Sequence, residues 1–203
     1  MIKIVIAAGF AASLLASAVL PSATLFDNDE VKVIRALERP HVKGSFHEHK
    51  VNRVMIYLES GKQRFEYKDG RKAAEFDWKP GQIDWSEPDG IHSPEVVTDE
   101  PFNIVEMELK KPGGAAIKKD GLTADPKHYK LEFENSQVRV LRLKLGPHEE
   151  TPSVERSNNT VAVFLTDGDN HKMGDAVWET PGSAKIENTG SAPLEVVLVE
   201  LKN

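Results

Sequence analysis

The chain matches itself. Shifted by 107 positions, "FDNDEVKVIRALERPH" (26–41) lies over "FENSQVRVLRLKLGPH" (133–148), with Phe, Asn, two Val, Arg, Pro and His in register. At the same offset "VMIYLESG" (54–61) lies over "VAVFLTDG" (161–168). After a deletion, "GQIDWSEP" (81–88) matches "GDAVWETP" (174–181), and "VEMELK" (105–110) matches "VLVELK" (197–202). A period held through four segments, with matching glycines and tryptophans, means that one supersecondary unit is written twice. Whatever one module folds into, the chain has to contain two of it.

The module reads as strands. "VKVIRALE", "RVMIYLES", "FNIVEMELK", "VRVLRLKL" and "LEVVLVELK" are short and rich in β-branched residues, and turn signals such as "KDG", "KPGQ", "EPDG" and "ETPGS" separate them. Short strands with a turn every eight to twelve residues point to a sandwich or a closed barrel. The predicted layout is a leader over 1–23, a first module over 24–110, a linker over 111–130 and a second module over 131–203. The leader is predicted from a basic Met1-Ile2-Lys3 start, an Ala-rich apolar run and small residues at Ala16-Ser17-Ala18 and Pro21-Ser22-Ala23. Cleavage after Ala18 or Ala23 would leave no stable membrane span and export the protein to a periplasm or beyond the cell. The sequence has no cysteine, so neither disulfides nor thiolate ligands are available. With a net charge of −6 and no basic face, no nucleic-acid partner is expected.

Within the first module, "FHEHKVNRVMIYLESG" (46–61) sets His47 and His49 two apart, on one face of an extended chain. "EPDGIHSPE" (87–95) brings a third histidine, His92, after a Pro- and Gly-containing turn. This His-x-His before a strand, a Gly after it, and a later Pro-rich turn with a third His resemble the cupin family. The resemblance covers nearly the whole chain beyond the leader, as two copies. It implies an all-β fold of two tandem small cupin (jelly-roll-like) barrels, a bicupin. It also implies one divalent transition metal (Fe, Mn, Zn, Ni or Cu) on His47, His49 and His92. The family's usual glutamate ligand is missing, its place being taken by Arg53 or Val54; cupins with three histidines and no glutamate occur among non-haem iron dioxygenases. In the second copy Val154, Arg156, Thr160 and Lys185 align with His47, His49, Arg53 and His92, so that barrel is expected to bind no metal in this manner.

Arg53 is the discordant residue. A +1 charge about 6 Å from a +2 ion is repelled by roughly 5 kcal/mol at an effective dielectric near 20. An inward carboxylate could pair with it, it could turn away, or its guanidinium could hold an anionic substrate. Alternation from Arg53 places Met55 and Tyr57 on the same face, and Arg53 and Tyr57 are the expected substrate-binding residues. Glu59, Glu66 and Glu87 are the glutamates that could turn inward as a base. His41 and His148 hold equivalent places in both copies and are expected to serve the fold; His128 and His171 are expected to be solvated. The functional expectation is a metal-dependent oxygenase, isomerase or lyase acting on a small anionic or oxygenated molecule. The alternative is a non-catalytic exported ligand-binding, metal-binding or structural module.

Overall fold

A computed structural model describes residues 20–119, 121–168 and 170–203, so most of the predicted leader lies outside the described residues. The first copy forms β1 (Ala23–Asp27), β2 (Val31–Glu38), β3 (Arg53–Tyr57), β4 (Gly61–Tyr67), β5 (Ala74–Trp78), β6 (Ile83–Ser86), β7 (His92–Val96) and β8 (Phe102–Leu109). A single helical turn, α1 (Gly121–Ala124), precedes the second copy. That copy forms β9 (Tyr129–Glu134), β10 (Val138–Leu145), β11 (Val154–Arg156), β12 (Thr160–Phe164), β13 (Ala176–Glu179), β14 (Gly182–Ala184) and β15 (Leu194–Leu201).

Each copy builds a five-stranded antiparallel sheet, ordered β1-β2-β8-β3-β6 in the first and β9-β10-β15-β12-β13 in the second. The two orders have the same connectivity. Over the inner face of each large sheet lies a smaller one, β5-β4-β7 in the first barrel and β11-β14 in the second. Strand β3 shows why the large sheets are apolar on both faces. Its five residues are all buried, yet period-2 alternation sends them to two places. Val54 and Ile56 join a cluster with Val33, Val105 and Met107 of the first copy and Val140, Val163 and Val199 of the second. Met55 and Tyr57 face the interior of their own barrel, with Phe102 and Ile104. The two large sheets therefore pack back to back and share one core. Polar bonds also cross this junction: Asn159 Nδ2 donates to Glu30 Oε1 (2.7 Å) and Arg142 Nη2 to the Gly81 carbonyl (2.5 Å).

The barrel interiors differ. The second is filled by a cluster that includes Leu141, Leu143, Leu145 and Leu198. The repeat aligns Leu145 with Glu38 and Leu198 with Glu106, so the first barrel carries carboxylates where the second packs leucine.

Features kept in both copies explain themselves in the backbone. His41 (φ 55°) and His148 (φ 58°) are the non-glycine residues with left-handed φ among the described residues, each just after a proline. Gly81 and Gly174 are left-handed as well, at 72° and 83°. Gly61 is required for a different reason: a Cβ there would come within 2.2 Å of the Phe102 ring.

Candidate metal centre

The histidines are brought together by a short backbone pairing. The chain between β2 and β3 runs along β7, with Gly44 N–H donating to the Pro94 carbonyl (2.7 Å). His47 and His92 then exchange both backbone hydrogen bonds, each 2.9 Å, which makes them a directly opposed antiparallel pair. His49, two residues on, returns to the same side. The ring centroids lie 4.8 Å (His47–His49), 4.9 Å (His47–His92) and 5.5 Å (His49–His92) apart. One ring nitrogen from each falls within 4.8 Å of the other two.

Two of the rings are oriented by backbone carbonyls. His47 Nδ1 lies 2.9 Å from the Ser45 carbonyl and His92 Nδ1 3.1 Å from that of Gly90. A carbonyl only accepts, so both Nδ1 atoms carry a proton, and in the neutral rings both Nε2 atoms are left bare, the arrangement that orients metal-binding imidazoles. His47 Nε2 stands 3.0 Å from His49 Nε2. Two nitrogens each about 2.1 Å from one ion, at right angles, would be about 3.0 Å apart. Burial pushes the His49 imidazolium down to about 3, helped by the positive Arg53 and the neighbouring rings. Burial also lowers His92, against the pull of its Gly90 bond. Neutral imidazoles are what a cation needs as ligands, so this donor set fits a divalent transition metal.

Arg53 takes the first of the three routes open to it. Its Nη1 donates to Glu106 Oε2 and its Nη2 to Ser86 Oγ, both at 2.9 Å. The ion pair is well buried, with side-chain exposures of 9% and 15%, and the guanidinium is largely neutralised before any ligand arrives. Tyr57 is buried beneath Trp78, rings parallel to within 11° at 4.1 Å. Burial, with Asp84 and Glu106 near by, holds its phenol protonated.

These groups line a cavity of about 800 Å³ together with the three histidines, Arg53 and Tyr57. Its walls also present Glu38, Gln63, Asp84 and Glu106, polar residues absent from the expected site. The signal that points to them is the difference between the copies, because Glu38, Asp84 and Glu106 stand against Leu145, Val177 and Leu198. Of the three glutamates considered as inward bases, only Glu87 lines this cavity. Glu59 accepts the Asn103 backbone N–H at 2.7 Å, and Glu66 pairs with Lys43 at 2.6 Å.

Among the described residues the second barrel has no counterpart of this centre. Arg156, in the place of His49, is buried and ion-paired with Glu179. Opposite Val154 stands Ala184, not Lys185 as the sequence alignment had it; Lys185 lies one residue further on, paired with Glu150 at 2.5 Å. Two other expectations are corrected. His128 is not solvated: its side chain is 10% exposed, with Nδ1 2.6 Å from Asp125 Oδ2. His171 stacks on Phe164 with centroids 3.7 Å apart, a counterpart of Trp78 on Tyr57.

No protein-family model and no curated protein sequence matches the chain. Solved structures do. AerE from Microcystis aeruginosa superposes over 90% of this chain and 97% of its own, with a TM-score of 0.63 at 11% identity. A cupin 2 conserved barrel domain protein from Leptotrichia buccalis gives 0.51 over 90% and 88%, at 11% identity. The chain has a bicupin fold. The oxalate decarboxylase of Lactobacillus farciminis, solved as a formate complex, shares the fold over 90% of this chain and 80% of its own (TM-score 0.55, 11% identity). Identities this low speak to the fold alone. The first of its two barrels holds the histidines and the cavity, and the second packs a leucine-rich cluster in its interior.

Proposed function

We propose that this bicupin is an exported protein that binds one divalent transition metal through His47, His49 and His92, and a small oxygenated molecule in the cavity beside it. The observation that carries this reading is the convergence of three ring nitrogens, two of them bared by Nδ1 bonds to the carbonyls of Ser45 and Gly90. A metal held there by neutral donors would act as a Lewis acid or as an oxygen-binding centre. The chain's own residues do the rest. Arg53, fixed by Glu106 and Ser86, supports the wall behind the histidines. Tyr57 offers a protonated hydroxyl, and Trp78 its Nε1–H to Gln63 at 2.9 Å. The cavity suits metal-dependent chemistry of the oxygenase, isomerase or lyase type, and the fold neighbour acting on oxalate is compatible with that class. The second reading is a non-catalytic metal- or ligand-binding module.

Elemental analysis of the purified protein, followed by calorimetric titration of the stripped protein with Zn²⁺, Mn²⁺, Fe²⁺, Ni²⁺ and Cu²⁺, tests the centre. About one equivalent is expected, with affinity reduced at least a hundredfold in His47→Ala and His92→Ala proteins that keep their strand content. Unchanged uptake in either variant would exclude the proposed centre.

A further inference from the structure

The cavity is unbalanced in charge. Six carboxylates line it, Glu38, Asp77, Asp84, Glu87, Asp89 and Glu106, against one cation, Arg53. Three of the six are neutralised: Glu106 by Arg53 (2.9 Å), Asp77 by Lys62 (3.3 Å) and Asp89 by Arg71 (2.7 Å). Glu38, Asp84 and Glu87 have no cationic partner among the described residues. Glu87 takes the Trp85 Nε1–H (3.1 Å), but Glu38 and Asp84 are further from water and each accepts only a neutral amide, from Gln63 (2.9 Å) and Gln82 (3.0 Å). Burial raises the proton affinity of both.

A half-buried carboxylate without a cation is costly, and the fold does not ask for these two. In the second barrel the same positions hold Leu145 and Val177, on strands of the same connectivity. Both acids are held in place. Trp78 Nε1 donates to Gln63 Oε1, and Gln63 Nε2 donates to Glu38 Oε2, so one face of the Glu38 carboxylate is fixed and its other oxygen is left for the cavity. The charges that act on Tyr57 are Asp84, Glu106 and Glu38, with Arg53 opposing them. Glu38 and Asp84 thus stand within electrostatic reach of the tyrosine, and Glu38 of His47 as well. Beside them the stacked Tyr57 and Trp78 rings line the same cavity, and an aromatic wall next to carboxylates is the usual receptor for an organic ammonium group.

We infer that the cavity takes a small molecule bearing a cationic, amine-derived group, seated by Glu38 and Asp84 against the Tyr57–Trp78 stack, with its oxygen-bearing end toward the three histidines. This rests on the reading of the cavity as the ligand site. In this reading Arg53 keeps its Nη1 and Nη2 on Glu106 and Ser86 and is not the group that seats the ligand's charge. A dianion such as oxalate would meet only repulsion at this wall.

Three probes of one shape and different charge test it: 2-phenylethylamine, 2-phenylethanol and phenylacetate, titrated calorimetrically at pH 8 into the protein with and without one equivalent of Zn²⁺. The amine is expected to bind at least tenfold more tightly than the alcohol, and phenylacetate more weakly than either. Glu38→Gln and Asp84→Asn, isosteric changes that remove an unpaired charge, should each cut the amine's advantage severalfold and leave the alcohol unchanged. Equal or tighter binding of phenylacetate, the absence of any charge order, or no binding by all three would overturn the inference. The same series on His47→Ala separates the two claims. Lost metal uptake with the charge order intact is the expected result. Failure of native protein to take up metal, with that order intact, would remove only the metal reading; metal uptake with the order reversed would remove only this one.

Discussion

At the scale of single residues, the chain places charge where its second copy places hydrocarbon. Arg53 and Glu106 make a buried pair, and removing one member leaves the other without its partner. Arg53→Ala is expected to destabilise the protein by about 3 kcal/mol, read as a lower urea midpoint. The double change Arg53→Thr with Glu106→Leu, which installs the residues of the second copy, should recover most of that loss. Glu38 has the opposite character. Its folded pKa is raised by burial and by Glu106, so between its unfolded value and its folded one the native state binds the extra proton. Its contribution is fully present below the unfolded pKa and is lost as pH rises through the folded one. Glu38→Gln should therefore be more stable than the native protein at pH 7, with the two urea midpoints converging toward pH 4; a variant less stable at pH 7 would contradict this. Much of the site was legible in the sequence. The His-x-His pair and alternation along β3 place His47, His49, Arg53 and Tyr57 around one space. Glu38, Asp84 and Glu106 were not found, because identities between the copies reveal the fold, whereas these acids appear only where the copies differ. Nor does sequence spacing say which partner, carboxylate or ligand, satisfies an inward arginine.

At the scale of elements, the difference between the copies is one hairpin. Twenty positions separate Gly61 from Gly81, but only six separate the matching Gly168 from Gly174. The extra residues are most of β4 and β5, which supply Gln63, Phe65, Phe76 and Trp78 to the cavity. The second barrel replaces that wall with a short loop, whose His171 covers Phe164. Periodicity marked the turn signals around this hairpin but could not tell a cavity wall from a surface ribbon, since both alternate. The paired histidines after proline have a plainer cause in their left-handed backbone. His148 is exposed, so it isolates the backbone effect. His148→Gly should stabilise the protein by up to about 1 kcal/mol, and His148→Val should cost about 1–2 kcal/mol, since the left-handed region penalises a Cβ, most of all a branched one. Thermal melts of the two variants check the order. The start of β1 bears on leader processing in the same way. Leu20 exchanges hydrogen bonds with the buried Asn103 side chain, at 3.3 and 2.8 Å, and Ser22 Oγ accepts the Leu37 N–H at 2.8 Å. A cut after Ala23 would remove these partners, and one after Ala18 would keep them. If the leader is cleaved as proposed, N-terminal sequencing of the mature protein is expected to begin at Val19.

At the scale of the molecule, the leucine-packed barrel and the cavity-bearing one share a core. Val54, Ile56, Val105 and Met107 of the first barrel and Val138, Val140, Val197 and Leu201 of the second share one buried cluster. A cavity lined with unpaired acids is a poor core for its own barrel, so the back of its large sheet has to supply stability from elsewhere, and the leucine-filled second barrel is packed against that back. The second barrel then stabilises the three-histidine site without contributing a residue to it. Leu201→Ala, a truncation in the shared cluster more than a barrel's width in sequence from the histidines, should cost about 2–5 kcal/mol. If the barrels unfold as one unit, release of a bound metal from the first barrel and loss of strand signal from the whole chain will coincide, and both will move to lower urea concentration in the variant by the same amount. Metal release at an unchanged midpoint, with only part of the strand signal shifted, would mean that the barrels are separate folding units. Coincident curves would give the leucine-packed barrel its physical role: it is the half of the core that the cavity-bearing barrel gave up.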